Sequence, residues 1–240
     1  MQEPCMYDCE MEVEFASLVG AKLHIEPEFG TKLWSSLQCV RYFNLATVDR
    51  LESMSAVNVA IKPKEALDVT LITDRHWNVY IKHVKKDTYY YANPVACEKY
   101  NVRDIFPREC VVHAWMFRDS NVETCLGVYD ISVLEGKSTK DLLVQKRSQI
   151  IHELFQNYTD RVAARPPTQT RLKWIWVGEL GTDHIVPAIG ACGILYNPWW
   201  FDVDCFLAIP QDPEQSCYQI DATPCSVEKK QRVKHLRLSI

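Results

Sequence analysis

The 240 residues carry 27 Lys and Arg against 31 Asp and Glu, which gives a formal net charge of −4 and an isoelectric point near 6.0. This charge balance excludes a protein that binds polyanions over its whole surface. Any nucleotide or nucleic acid would have to bind at a local basic patch. A hydrophobic fraction of 47% excludes a disordered chain and is sufficient for a sizeable core.

The cysteines indicate the compartment. Ten of them are scattered along the chain without a CxxC pair. In a chain large enough to fold without disulfides, this spacing predicts reduced thiols in an intracellular protein of the cytoplasm or nucleus. No apolar stretch approaches the roughly 20 residues that cross a bilayer, and the acidic N-terminus lacks the hydrophobic core of a signal peptide. We therefore expect no membrane association, no metal site and no cofactor.

The first half of the chain changes its hydrophobic period once. Apolar residues three or four apart within 31–53 predict one or two helices, so residues 1–56 are expected to form a helical N-terminal portion. From about 57 to 135 an alternating pattern takes over. It predicts strands in AVNVAI, LDVTLI, WNVYIKHV, DTYYYAN, ECVVHAWMF and CLGVYDISV. Such a meander of short strands is typical of an antiparallel sheet.

A helix is expected next. Ser138, with Asp141 three residues on, predicts its N-terminal cap, and ARPP its end. Its apolar stripe is Leu142, Leu143, Ile150, Ile151, Leu154, Phe155 and Tyr158. Further strands are predicted in LKWIWVGEL, ACGILYN, DCFLAIP and RVKHLRLSI. Because no Gly-, Ser- or Pro-rich linker interrupts this order, we predict a single α+β domain over 1–240 with its core at 57–240.

Five segments, taken in order, carry a resemblance. They are LITDRHWNVYI, ECVVHAWMF, CLGVYDISVLEG, VQKRSQIIHELF with Arg147, and ACGILYN. Their order resembles the nucleotidyltransferase core shared by mRNA capping guanylyltransferases, polynucleotide ligases and the trimethylguanosine-cap-binding domain of snurportin. In that superfamily a Lys-x-Asp-Gly strand precedes a hairpin with an acidic residue and an aromatic-Asp-hydrophobic step. The resemblance covers about residues 65 to 210 and implies two antiparallel sheets around a central cleft with flanking helices, without a carboxy-terminal OB domain.

The resemblance also implies that the catalytic residues are missing. The transferase reaction needs a lysine amine that attacks the α-phosphate, and Ile72 stands in its place. The acidic positions of the hairpin are His113 and Trp115, and that of the late strand is Cys192. Without these carboxylates a divalent metal has few hard oxygen ligands. A frame without its catalytic residues, as in snurportin, implies ligand binding without chemistry.

The candidate ligand-binding residues are basic and aromatic. Arg75, Lys82 and the KKQRVK segment are predicted to contact phosphate, and one or two tryptophans to stack on a base. His113 and Trp115 alternate on one strand and therefore face the same side. The full set is Arg75, Trp77, Lys82, His113, Trp115, Asp130, Trp199, Trp200, Lys230 and Lys234.

Two of these positions have a structural alternative. Asp74-Arg75-His76 is either a hairpin turn, which we favour, or the mouth of a ligand pocket. Asp130 needs a partner such as Arg147 or a lysine if its carboxylate points inward, and an ion pair or a ligand contact satisfies it equally well.

The sequence therefore predicts a catalytically silent module that binds a nucleotide or a capped RNA end. The first alternative is a protein–protein interaction or structural protein on the same frame. The second is an active nucleotidyltransferase of capping or ligase type, in which Lys62, Lys64 or Lys82 supplies a displaced nucleophile. A Cys110–His113 hydrolytic pair is disfavoured, because side chains three residues apart on a strand point to opposite faces.

Overall fold

A computed structural model describes residues 6–23, 44–45, 57–119, 121, 123–162, 171–174, 177–179, 203–210 and 218–221. Its helices are α1 (Met6–Leu18), α2 (Pro94–Tyr100), α3 (Val102–Ile105) and α4 (Val144–Val162). Its strands are β1 (Val19–Lys22), β2 (Asn44–Leu45), β3 (Val57–Pro63), β4 (Leu67–Thr73), β5 (Val79–His83), β6 (Thr88–Ala92), β7 (Cys110–Arg118), β8 (Thr124–Leu134), β9 (Lys137–Ser138), β10 (Leu172–Trp174), β11 (Val177–Glu179), β12 (Val203–Pro210) and β13 (Tyr218–Asp221).

The chain divides into two compact units, and the first contains the larger sheet. Its strands follow the order β1-β6-β5-β4-β7-β8-β10, and β9 pairs with β8 at the side. The pairs from β4 to β8 are antiparallel, as the alternating pattern predicts, whereas β10 joins β8 in parallel. The strands β4 to β8 and their antiparallel pairing are therefore confirmed, but the predicted meander is not, because β7 pairs with β4 and not with β6.

The helices of this unit pack against one face of the sheet. Alternate strand residues such as Val69, Val112 and Ala114 point to this face and join one apolar cluster with residues of α1 to α4. Because the side-chain period of a strand is two, the intervening residues point to the opposite face. We call the first the helix-bearing face and the opposite one the second face.

The second unit contains a smaller sheet in the order β11-β3-β12-β13-β2. β3 and β12 were predicted as strands, and β12 pairs with both β3 and β13 in antiparallel fashion. β13 was not predicted, and it pairs with β2 in parallel. Asn44 and Leu45 thus form a strand within the segment predicted to be helical, while the rest of 31–53 lies outside the described residues.

The predicted start of the long helix is wrong. Ser138 belongs to β9, and α4 begins only at Val144. Glu135 and Gly136, with φ of 50° and 75°, form the tight turn of a β8–β9 hairpin, in which Ser138 pairs with Val133. Leu142 and Leu143 therefore precede the helix and are exposed, whereas Ile151 and Tyr158 are buried as predicted.

LKWIWVGEL is also divided differently from the prediction, because Leu172–Trp174 joins the larger sheet and Val177–Glu179 the smaller one. The strands predicted in ACGILYN and RVKHLRLSI lie outside the described residues. Among the described helices, none is long and apolar enough to cross a membrane.

Candidate functional site

A row of polar and aromatic side chains crosses the second face of the larger sheet. Tyr89, Lys82, Thr70 and His113 are successive cross-strand partners on β6, β5, β4 and β7. Directly paired residues lie on the same face with their Cβ atoms about 4.5–5.5 Å apart. The register therefore brings these four residues together, and we call them the polar row.

Lys82 lies in the row between Tyr89 and Thr70. Its Nζ lies 2.5 Å from Oδ1 of Asp87 and 4.9 Å from the centre of the Tyr89 ring, and only 13% of its side chain is exposed. Burial alone would lower the pKa of Lys82, but hydrogen bonds and charge from Asp87 and Tyr89 outweigh it and raise that pKa. The amine therefore stays protonated, which suits a phosphate contact and disfavours a nucleophile.

His113 lies at one end of the row, between two hydroxyl groups. Its Nε2 is 2.5 Å from Oγ of Ser132, and its Nδ1 is 3.4 Å from Oγ1 of Thr70. In neutral imidazole one nitrogen donates and the other accepts, so the ring orients both hydroxyl groups at once. His113 and Ser132 are both half-buried.

Two irregularities in β8 produce this arrangement. Between Val112 and Val111 the register of β8 skips Ser132, and between Ala114 and His113 it skips Tyr129. An extra residue in one strand of a pair is a β-bulge, which re-aims side chains. Ser132 thereby reaches His113, and Tyr129 stacks on Trp115 with ring centres 3.9 Å apart.

The Trp115 side chain is buried on the second face. It has no exposed surface, and its Nε1 donates to Oδ1 of Asp68 at 2.7 Å. The prediction that Trp115 faces the same side as His113 is confirmed by their partners, since Thr70 and Asp68 are also two residues apart on β4. The indole is already covered by Tyr129, so as it stands it offers no open face to a base.

Ile72, which stands where the resemblance places the nucleophile, is fully buried on the same face. It belongs to a small apolar cluster with Tyr80, Tyr89, Val111 and Val133. The position expected to be catalytic is therefore packed as core.

Asp130 forms the ion pair that was one of its two predicted alternatives. Arg147 donates from Nε to its Oδ1 at 2.8 Å and from Nη2 to its Oδ2 at 3.3 Å, and both side chains are at most 2% exposed. The backbone N–H of Ile131 also donates to Oδ1 at 2.8 Å. Asp130 thus joins β8 to α4 and has no surface left for a ligand.

Residues 74–78 form the hairpin turn that was favoured for this segment. Oδ1 of Asp74 accepts from the backbone N–H groups of His76 and Asn78 at 2.7 and 2.8 Å, and Oδ2 accepts from the Tyr80 hydroxyl at 3.0 Å. Burial raises the pKa of Asp74, but these hydrogen bonds outweigh it and lower that pKa. Arg75 is exposed in this turn and donates to the His76 ring.

The Trp77 side chain borders a cavity beside the helices α3 and α4. The cavity has a volume of about 670 Å³, and Trp77 lines it together with residues of α3, the segment after α3, and the C-terminal half of α4. A volume of this size lies within the range of about 300–1,000 Å³ that is usual for ligand sites. Trp77 is half-buried and has a φ of 65°.

The structure therefore brings together three of the predicted ligand residues, Lys82, His113 and Trp115, on one face. Arg75 and Trp77 lie in the β4–β5 turn, and Asp130 is committed to Arg147. Trp199, Trp200, Lys230 and Lys234 lie outside the described residues.

Sequence reasoning missed Thr70 and Ser132. Thr70 had a signal, because it follows Asp68 at strand spacing within an otherwise apolar segment. Ser132 had none, because the bulge that turns it toward His113 is visible only in the register of the sheet.

Among the described residues, the structure separates Cys110 from His113, the two residues of the disfavoured hydrolytic pair. Cys110 belongs to the helix-bearing face, whereas His113 belongs to the second face, so the two do not form a catalytic pair. Burial raises the pKa of the Cys110 thiol, which keeps it protonated. Within the described residues, no three His, Cys, Asp or Glu side chains cluster as a metal site requires.

No protein-family model and no curated protein matches the sequence. Among solved structures, the chain is similar to a mycobacterial DNA ligase D complexed with ATP and MES, with 12% identity and a TM-score of 0.43, covering 69% of this chain and 54% of that one. It is also similar to the ligase domain of M. tuberculosis LigD, with 11% identity and a TM-score of 0.40, covering 71% of this chain and 52% of that one. The chain thus spans about half the length of these structures. Both are ligases, one of the groups that the motif order resembles, and neither is a capping enzyme or snurportin.

Proposed function

We propose that the second face of the larger sheet binds the phosphate groups of a nucleotide, or of a nucleotide at an RNA end, without covalent chemistry. The observation that carries this proposal is the polar row, where the Lys82 ammonium, the Thr70 hydroxyl and the His113 imidazole lie on one face, and where the Ser132 hydroxyl contacts His113. An ammonium group and two hydroxyls are donors that suit phosphate oxygens.

The ion pair between Lys82 and Asp87 is weak enough for a phosphate to displace Asp87. Asp87 is 69% exposed, and ion pairs with such exposed partners contribute only about 0–1 kcal/mol. A phosphate that carries more charge than a carboxylate can therefore compete for the ammonium group. Such contacts make the affinity fall as salt rises.

The absence of chemistry is part of the proposal, and three features support it. Ile72 is packed as core, and the raised pKa of Lys82 keeps its amine protonated. The carboxylates of Asp68 and Asp130 are engaged by Trp115 and Arg147. A covalent nucleotide adduct needs a neutral amine aimed at the α-phosphate.

The finer identity of the ligand is a hypothesis from the motif order. A methylated guanine cap is a flat cation that stacks well on an indole, and Trp199 and Trp200 are the residues proposed to supply one. Lys230 and Lys234 are proposed to add phosphate contacts.

Equilibrium binding tests the proposal. GTP, a methylated cap analogue and a short RNA are titrated into the protein by calorimetry at low and moderate salt. We expect Lys82→Ala to weaken binding by about tenfold, because a hydrogen bond to a charged group contributes about 1.5–3 kcal/mol. Lys140→Ala, which removes an exposed lysine after β9, is the matched control and leaves the affinity unchanged.

Two outcomes would contradict the proposal. If none of the three ligands binds at millimolar concentration, the interaction protein becomes the better hypothesis. If a label from GTP or ATP stays on the protein after incubation with Mg²⁺ or Mn²⁺ and denaturing electrophoresis, the active nucleotidyltransferase with a displaced lysine is correct instead.

A further inference from the structure

We propose that the cavity beside Trp77 is a second nucleotide site, which takes a guanine nucleotide by stacking its base on the indole and contacting its phosphate with Arg103 and Arg161. This site does not depend on the polar row. It is built from the β4–β5 turn and from α3 and α4, which pack on the helix-bearing face.

The backbone of Trp77 is the first observation. A φ of 65° is unfavourable for a bulky side chain, and such strain is concentrated at ligand clamps and active sites. The turn maintains it, since the Trp77 N–H donates to the Asp74 carbonyl at 3.2 Å. The guanidinium of Arg108 lies 5.5 Å from the centre of the indole ring. The indole is therefore fixed at the cavity wall while remaining partly exposed.

The lining combines an apolar base with charged groups. Ile105 and Phe106 are at most 3% exposed, and with Leu154 they form the apolar part. Arg103 and Arg161 are exposed residues of the lining. The guanidinium of Arg161 is already oriented, because it donates to the backbone carbonyls of Asn157 and Asp104.

The charged groups of the lining suit a ligand that has an anionic group and a ring with several hydrogen-bond donors. Arg103 and Arg161 line the cavity together with Asp104 and Asp160, and the guanidinium of Arg108 at the indole adds a positive charge beside this lining. Ionised carboxylates only accept hydrogen bonds. Guanine offers two adjacent N–H donors on one edge, whereas uracil offers a single one. A base stacked on an indole contributes about 1–3 kcal/mol, and arginine pairs well with phosphate.

The test uses GMP, UMP, guanosine and inorganic phosphate, each titrated into the full chain by calorimetry and by tryptophan fluorescence. We expect GMP to bind about tenfold tighter than guanosine, because the phosphate adds charge-assisted hydrogen bonds. UMP and inorganic phosphate should bind more weakly than GMP. GMP should quench the fluorescence of the wild type.

Variants separate this site from the polar row. Arg103→Ala, a change at an exposed position, should weaken GMP binding about tenfold, while Arg171→Ala removes a guanidinium elsewhere and should have no effect. Trp77→Phe should reduce the quenching, because it removes the indole of this site, and should retain binding, because a phenyl ring still stacks. Thr70→Ala, in the polar row, should leave the GMP affinity of the cavity unchanged.

Three outcomes would overturn the proposal: equal GMP affinity for Arg103→Ala and Arg171→Ala, unchanged quenching in Trp77→Phe, or UMP binding as tightly as GMP. A loss of binding in Thr70→Ala with none in Arg103→Ala would assign the nucleotide to the polar row alone.

Discussion

At the scale of single residues, the Asp130–Arg147 pair is the clearest link between sequence and fold. Both side chains are at most 2% exposed, and the guanidinium also donates from Nη1 to the Leu142 carbonyl at 2.7 Å. The pair therefore fixes the segment before α4 as well as the helix itself. Removing one member would leave a buried charge without its partner.

We predict that Arg147→Ala destabilises the protein by about 3–5 kcal/mol, because it leaves the Asp130 carboxylate uncompensated in the core. Urea unfolding followed by circular dichroism measures the change. Arg171→Ala, which removes a half-buried pair with Glu123 at 3.3 Å, is the control and should cost about 1 kcal/mol. Equal losses in the free energy of unfolding would show that the buried pair contributes no more to stability than the Arg171–Glu123 pair.

Sequence reasoning found this pair as one of two alternatives, since an acidic residue inside an apolar strand demands a partner. It could not find the contact between Ser132 and His113. The pattern of VYDISV gives a regular strand, whereas the structure inserts bulges that only the pairing with β7 defines. Trp115 was predicted on the correct face, but its coverage by Tyr129 depends on the other bulge, between His113 and Ala114.

At the scale of elements, α1 is attached to the β5–β6 turn by a small polar cluster. The ring of His83 is fully buried, and its Nδ1 accepts from the Lys86 N–H at 3.2 Å. Its Nε2 must therefore carry the proton and donate to Glu12 at 3.1 Å. Lys86 reaches the same carboxylate at 2.5 Å. Glu12 thus connects the helix to the last residue of β5 and to the β5–β6 turn.

This cluster predicts a pH-dependent stability. Burial raises the pKa of Glu12, but the hydrogen bonds from Lys86 and His83 outweigh it, so the folded-state pKa lies below the ordinary 4.5. A lowered pKa means that the stabilisation is present above pH 4.5 and is lost as the pH falls through the folded-state value. Because Glu12 is 32% exposed, we expect at most about 1 kcal/mol.

Urea unfolding of the wild type and Glu12→Gln at several pH values from 7 to 3 measures this effect. The difference between the two proteins should be largest at neutral pH and should close below pH 4.5. Glu14→Gln, on the same helix, is the control and should show a smaller difference, because its partner Arg118 is 3.8 Å away. A difference that grows toward acid would contradict the assignment.

The elements that sequence could predict are those whose periodicity is strong. The strands β4 to β8 follow from alternation, and they are the strands that carry the polar row. The start of α4 could not be predicted, because the spacing of Ser138 and Asp141 matches a helix cap although Ser138 belongs to a hairpin strand. The left-handed backbone of Glu135 and Gly136 forms the hairpin turn, and the sequence pattern does not reveal it.

At the scale of the whole molecule, positions that the motif order singles out lie on one face of the larger sheet. Of the four positions where the resemblance expects catalytic groups, Ile72, His113 and Trp115 lie on the second face, and Cys192 lies outside the described residues. The first three positions hold a buried alkyl group, an imidazole and an indole, and not the amine and carboxylates that the transferase reaction uses. In the proposed function, Lys82 supplies the cation of this face.

The central claim is that a nucleotide phosphate contacts the polar row, and the imidazole of His113 is the most direct reporter of it. Nuclear magnetic resonance of ¹⁵N-histidine-labelled protein follows the ring nitrogens during a GTP titration, and His113→Gln assigns the resonance. We predict that the His113 nitrogens shift with the dissociation constant found by calorimetry, while those of His83, which is fully buried in the α1 cluster, stay fixed. Binding of GTP that leaves the His113 resonances unmoved would contradict the account.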